Sequence, residues 1–151
     1  MKKLFLALLV CLSLPFTTAF ADDKNLVIKE SAHSVSETID KLKTVLESKG
    51  ITIFARIDHA AGAKKVGEAL EPTELLIFGN PKLGTPLMQS NQKIGLDLPL
   101  KAIAWKGKDG KVRLGYPSPA YLKTKYGITD KDAVFTKITG ALGKFTDAAV
   151  K

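Results

Sequence analysis

Apolar residues along the chain concentrate in five short strand-like stretches and recur at helical spacing in two longer ones. Asn25 to Lys29 reads as a first strand centred on Leu26, Val27 and Ile28. Ser34 then opens a helix. Glu37 follows three residues later, which makes Ser34-Val35-Ser36-Glu37 a capping box. Val35, Ile39, Leu42 and Leu46 repeat at helical intervals, and Gly50 ends the run. Ile51 to Asp58 is a second strand, and the strand–helix–strand order predicts a parallel pair joined by a crossover.

Asp58 is placed to cap a short helix running from His59 to about Ala69. Thr73 to Gly79 is apolar on both faces, as expected of a central strand. Pro81, Gly84 and Pro86 interrupt the pattern. Thr85 and Pro86 have the chemistry of a cap and first helical residue, so a third helix is expected to begin there. Leu100 to Lys106 and Lys111 to Tyr116 flank Asp109-Gly110, a hairpin signal. Ala120 to Tyr126 reads as a helical turn closed by Gly127. A last helix runs from about Asp132 to Ala149, its stripe of Val134, Phe135, Ile138, Leu142 and Phe145 facing a core. The fold class is therefore α/β, bordering on α+β: a mixed sheet of about five strands with packed helices in a single compact domain.

The first 21 residues belong to a different pattern. Lys2 and Lys3 precede an apolar run from Leu4 to Leu14, and Ala19-Phe20-Ala21 fits a signal-peptide cleavage site. The expectation is a secretory signal peptide over residues 1–21 and one globular domain over 22–151. The compact basic start suggests a bacterial periplasmic or secreted protein. Cys11 falls inside the signal, so the exported part has neither disulfide nor thiol nucleophile. Net charge is +8, falling to +6 once Lys2 and Lys3 are removed. The basic residues are almost all lysine, scattered among acids, and this disfavours nucleic acid as a partner. No later segment has the length of a membrane span.

Three polar segments carry the candidate chemistry. Asp58 and His59 sit at a strand-to-helix junction, where a carboxylate and an imidazole can exchange protons, or where Asp58 simply caps the helix. The run from Phe78 to Met88 leaves the C-terminal end of a buried strand, the usual place for a ligand crevice. Its Asn80, Lys82 and Thr85 can hold an anion beside free backbone amides. Lys101 shares a strand face with Ile103 and Trp105 and so needs a partner, such as Asp58, Asp97 or a bound anion. His33 and His59 lack metal-ligand spacing, and no haem-attachment or Gly-x-Ser-x-Gly motif occurs. No cofactor is implied.

Residues Ile57 to Ala61, Pro72 to Met88, Gly95 to Trp105 and Gly115 to Leu122 resemble the prokaryotic "domain of unknown function 302" family. The similarity covers roughly residues 29–128, and the run Phe78-Gly79-Asn80-Pro81-Lys82-Leu83-Gly84-Thr85-Pro86-Leu87-Met88 is its most specific part. The resemblance implies a compact, often exported α/β domain with no established activity. Members often have acids where this chain has Lys106 and Gly107, Asn-Asp-Pro where it has Pro117-Ser118-Pro119, and a histidine near Tyr126. The resulting expectation is an exported, non-enzymatic domain binding a small anionic molecule through Asp58, His59, Asn80, Lys82, Thr85 and Lys101. The alternatives are an enzyme using Asp58 and His59 as an acid–base pair, and an interaction domain forming homo-oligomers through a sheet edge or the last helix.

Overall fold

The computed structural model describes residues 25–151; the expected signal peptide lies outside the described residues. Five strands and five helices follow in the order β1 (Leu26–Ser31), α1 (Val35–Ser48), β2 (Thr52–Asp58), α2 (His59–Lys65), β3 (Thr73–Gly79), α3 (Pro81–Ser90), a 3-10 turn (Gln92–Leu96), β4 (Leu100–Lys106), β5 (Val112–Pro117), α4 (Pro119–Lys125) and α5 (Asp132–Val150).

The strands form one sheet in the order β1-β5-β4-β3-β2. The expected five strands with packed helices are present, but every pairing is antiparallel, so the sheet is not mixed. β1 and β2 do run in the same direction, as the strand–helix–strand reading required. They occupy opposite edges, however, because the later hairpin of β4 and β5 fills the space between β1 and β3. α1 lies across the sheet and contacts four of its strands on the way from one edge to the other.

α1 and α5 pack on each other and on one face of the sheet. Ile39, Leu42 and Leu46 of α1 meet Leu76, Phe78, Ala102, Ala104 and Leu114 of the sheet in the core, and Phe135, Ile138 and Leu142 of α5 complete it. The apolar stripe of α5 is thus consumed inside the molecule. Ser34 caps α1 with the capping box that its sequence predicts, and Gly50 takes φ +68°, a conformation natural to glycine. Arg56 ties β2 to this layer. It bonds the buried Glu74 of β3 at 2.6 Å and Asp40 of α1. The Glu74 hydrogen bond holds its guanidinium above the usual arginine range.

Burial along the central strands alternates, and this locates the second face. In β3, Glu74, Leu76 and Phe78 are buried while Thr73, Leu75 and Ile77 are only partly so. β4 follows the same rule, with Ala102 and Ala104 inward and Lys101, Ile103 and Trp105 outward. β3 is paired on both sides, as its apolar sequence suggested, but only one of its faces is enclosed.

α2 stops at Lys65, short of the expected Ala69, and buries none of its residues. α3 begins earlier than expected. Asn80 caps it, its side chain accepting from the Lys82 amide at 2.9 Å, and Pro81 is its first residue. Thr85 is therefore inside the helix rather than its cap. Asn80-Pro81 carries the same cap-then-proline signal as Thr85-Pro86, and it lies one residue beyond the strand it follows. Pro86, in the middle of the helix, costs it one hydrogen bond to the Lys82 carbonyl.

Candidate functional site: an apolar cavity with a lysine rim

A cavity of about 620 Å³ opens between α1, α5 and α3, at the end where β2 begins and β3 finishes. Its floor is core: Leu46 of α1, Phe78 of β3, and Ile138 and Leu142 of α5. Its roof is Leu83 and Met88 of α3, with Leu98 and the cis Leu98-Pro99 peptide closing one side. Phe54, 54% exposed, stands at a bulge in β2 beside the opening. Pockets of 300–1,000 Å³ with few polar groups are the ordinary form of small-molecule sites.

Three lysines from three different helices or helix ends line the cavity where it meets solvent: Lys49 after α1, Lys82 in α3 and Lys137 in α5. None belongs to the ten ion pairs of the described residues. No Asp or Glu lines the cavity. An apolar interior with an unbalanced positive rim suits a molecule with an apolar body and an anionic head.

The sequence-predicted residues divide between this site and elsewhere. Asn80, Lys82 and Thr85 line the cavity. Lys101 does not: it lies in register with Ile77 on the sheet face away from α1 and α5, and its Nζ donates to the Pro99 carbonyl at 3.3 Å. Asp58 and His59 sit at the other end of the β2–β3 pair. Asp58 is in register with Glu74, whereas Gly79, next to Asn80, is in register with Thr52. The separation along the strand is roughly 17 Å. The expected single hollow holding His59, Asn80 and Lys101 does not form. Asp58 instead caps α2, accepting from the Ala61 amide at 2.8 Å. The proton-transfer pair thus has no pocket shared with Lys101.

Lys49 and Lys137 escaped the sequence reading because each reads as ordinary surface, and Phe54 because it reads as one more apolar residue of the second strand. A second cluster was also unread. Asp97 accepts from Lys125 Nζ at 2.7 Å and from the Tyr126 hydroxyl at 2.6 Å, while Asn91 donates to the Tyr126 carbonyl. Lys125 lies over the rings of both Tyr121 and Tyr126. Burial opposes ionisation of Asp97, but the bonds from Lys125 and Tyr126 outweigh it and hold the carboxyl below its usual value. The hydrogen bond to Asp97 in turn raises both Lys125 and Tyr126. Asp97 directly precedes Leu98-Pro99, so the cluster anchors the loop that walls the cavity. Among the described residues no group of three or more His, Cys, Asp or Glu could hold a metal.

Comparison with known proteins adds a family. Residues 27–145 match the family model described as "Domain of unknown function DUF302". The chain belongs to the DUF302 family. A crystal structure of an uncharacterized conserved DUF302 protein from Bacillus stearothermophilus shares the fold, with a TM-score of 0.75 over 85% of this chain and 99% of that one, at 19% identity. Two curated relatives are named fluoride-specific ion channel FluC 1, from Brucella suis biovar 1 (strain 1330) and Brucella abortus biovar 1 (strain 9-941). Each is 48% identical over 120 residues, 78% of this chain. The chain spans less than half of their length, 47% and 44% respectively. No helix of the described DUF302 domain is long and apolar enough to cross a membrane.

Proposed function

We propose that this chain is an exported, non-enzymatic binding domain whose cavity takes an amphipathic anion, a hydrocarbon or aromatic body bearing one carboxylate. The observation that carries the reading is the apolar cavity of about 620 Å³ rimmed by Lys49, Lys82 and Lys137 with no acid in its lining. The body would lie on Leu46, Phe78 and Leu142, and the head would meet the lysines and the Asn80 amide. Each buried methylene contributes about 0.8 kcal/mol, close to fourfold in affinity. The test is calorimetric titration with a series of straight-chain carboxylic acids and the matching alcohols. Affinity should climb with chain length until the cavity fills, and acids should exceed alcohols. Lys82→Ala combined with Lys137→Ala should remove that preference while leaving the alcohols unchanged. Failure of every acid to bind, or equal binding of acids and alcohols, overturns the proposal. The export expected from the N-terminal pattern is checked by finding the processed chain in the periplasmic or extracellular fraction.

The curated relatives favour a second reading. In them a segment 48% identical to this chain makes up less than half of a protein named for a fluoride channel. On that reading this chain serves a fluoride-handling membrane protein as a partner domain. Fluoride is too strongly hydrated to enter an apolar cavity without compensating donors, so the partner, not the ion, would be the contact. Deleting the gene should then sharpen growth inhibition by fluoride; unchanged tolerance removes this reading.

A further inference from the structure

An apolar row crosses the sheet face opposite α1 and α5 from edge to edge. In register across all five strands stand Ile28 of β1, Gly115 of β5, Ile103 of β4, Leu75 of β3 and Ile57 of β2. Trp105 adds its ring to this row, lying against Gly115 so closely that a Cβ there would meet it at 3.0 Å. Ile28 is 45% and Ile57 38% exposed, and Ile103, Leu75 and Trp105 are only partly buried. A sheet with two apolar faces needs a layer on each. The helices supply one. We infer that a second copy of this chain supplies the other, the two sheets packing face to face.

Charge and area select a second copy over other occupants. The chain is strongly basic overall, so two copies must meet on a surface without net repulsion. Charges at this face are few, and all but Lys101 are paired within the molecule. Arg113 bonds Asp109, and Lys111 bonds Glu30 at 2.8 Å; Lys101 is turned onto the Pro99 carbonyl. A highly charged partner finds a single unpaired charge there, Lys101, among apolar side chains. Five strands about 4.8 Å apart and six or seven residues long present a footprint of roughly 500 Å². Two such faces remove about 1,000 Å² before side-chain relief is counted, near the lower bound of a specific interface. Aligned sheets pack about 10 Å apart by interdigitating side chains of this kind. The central strand places Ile103 and Trp105 at the middle of the contact, where a buried aromatic carries most of the binding energy.

Trp105 is the chain's single tryptophan, so its emission reports this face directly. The protein, purified as processed by the expressing cell, is followed by sedimentation equilibrium and by tryptophan emission over a wide concentration range. A dimer should dissociate on dilution, with Trp105 emission moving to the red at the same midpoint. Ile57→Glu and Ile28→Lys place a charge on exposed edge positions that a monomer can solvate, and each should weaken the dimer at least tenfold with an unchanged far-ultraviolet circular dichroism spectrum. The inference is overturned by a monomer at every concentration with constant emission. It is equally overturned by a dimer indifferent to both variants, and by a monomer whose Trp105 emission responds only to anionic phospholipid vesicles.

Discussion

Gly115 shows how one missing side chain organises its surroundings. It is a buried strand residue, and its lack of a Cβ lets the ring of Trp105 come close to β5 at the position that Ile28 of β1 also approaches. Gly115→Ala places a methyl about 3.0 Å from that ring. The ring must lift away, so tryptophan emission should change and stability should fall by about 1 kcal/mol, read from urea unfolding. Leu76 is a different case. It is fully buried beneath α1, and truncation there leaves a hole that the layers on both sides cannot close. Leu76→Ala should cost about 2–5 kcal/mol by the same measurement. Both residues sit in strands readable from sequence. Only the alternation of burial across the folded sheet shows that Leu76 faces the core and Gly115 the open side.

At the scale of elements, two helix caps allow a controlled comparison. Ser34 closes the capping box of α1, and Asn80 caps α3. Ser34→Ala and Asn80→Ala should each lower stability by about 1 kcal/mol. Only α3 roofs the cavity, so Asn80→Ala should also weaken binding of a carboxylic acid probe while Ser34→Ala leaves it unchanged. Equal effects on binding would mean that the cavity is not the binding site. The start of α1 was legible because its cap precedes an uninterrupted apolar repeat. The start of α3 was misread because two cap-then-proline pairs compete within seven residues, and packing against the 95–99 loop and α5 favours the first. The overlong α2 expectation had a related cause: a run of small residues has helical propensity but no buried face to sustain it.

For the whole molecule, the acidic side chains determine its response to pH. Asp97, Asp109, Asp130, Asp147 and Glu37 all titrate below their ordinary values. Hydrogen bonds are the main cause: from Arg113 to Asp109, Lys131 to Asp130, Lys29 to Asp147 and Ser34 to Glu37. For Asp97, Lys125 and Tyr126 overcome burial. A carboxyl whose folded pKa is depressed contributes stability that is complete above its unfolded pKa, here 3.8 for Asp and 4.5 for Glu. The contribution is lost as pH falls through the folded value. Urea midpoints should therefore be flat from pH 7 to about 5 and decline below about 4. Asp97→Asn should lower the neutral plateau and make the acid decline shallower, since a group that no longer ionises cannot lose its charge. Most of the other pairs are exposed, so each contributes little singly.

What the sequence by itself determined is local. Period-two and period-3.6 patterns, capping residues and the Asp109-Gly110 turn are short-range signals, and they located all five strands and the two long helices. Tertiary structure alone decided the sheet order, because pairing joins strands far apart in the chain: β1 to β5, and β3 to β4. It also decided the site. Asn80, Lys82 and Thr85 were legible because they share one distinctive segment. Lys49 and Lys137 are isolated surface lysines until α1 and α5 bring them beside α3, and Asp58 and Lys101 are removed from the cavity by strand register and side-chain alternation. A positive rim around an apolar hollow is a property of distances between elements, and no window of sequence contains those distances.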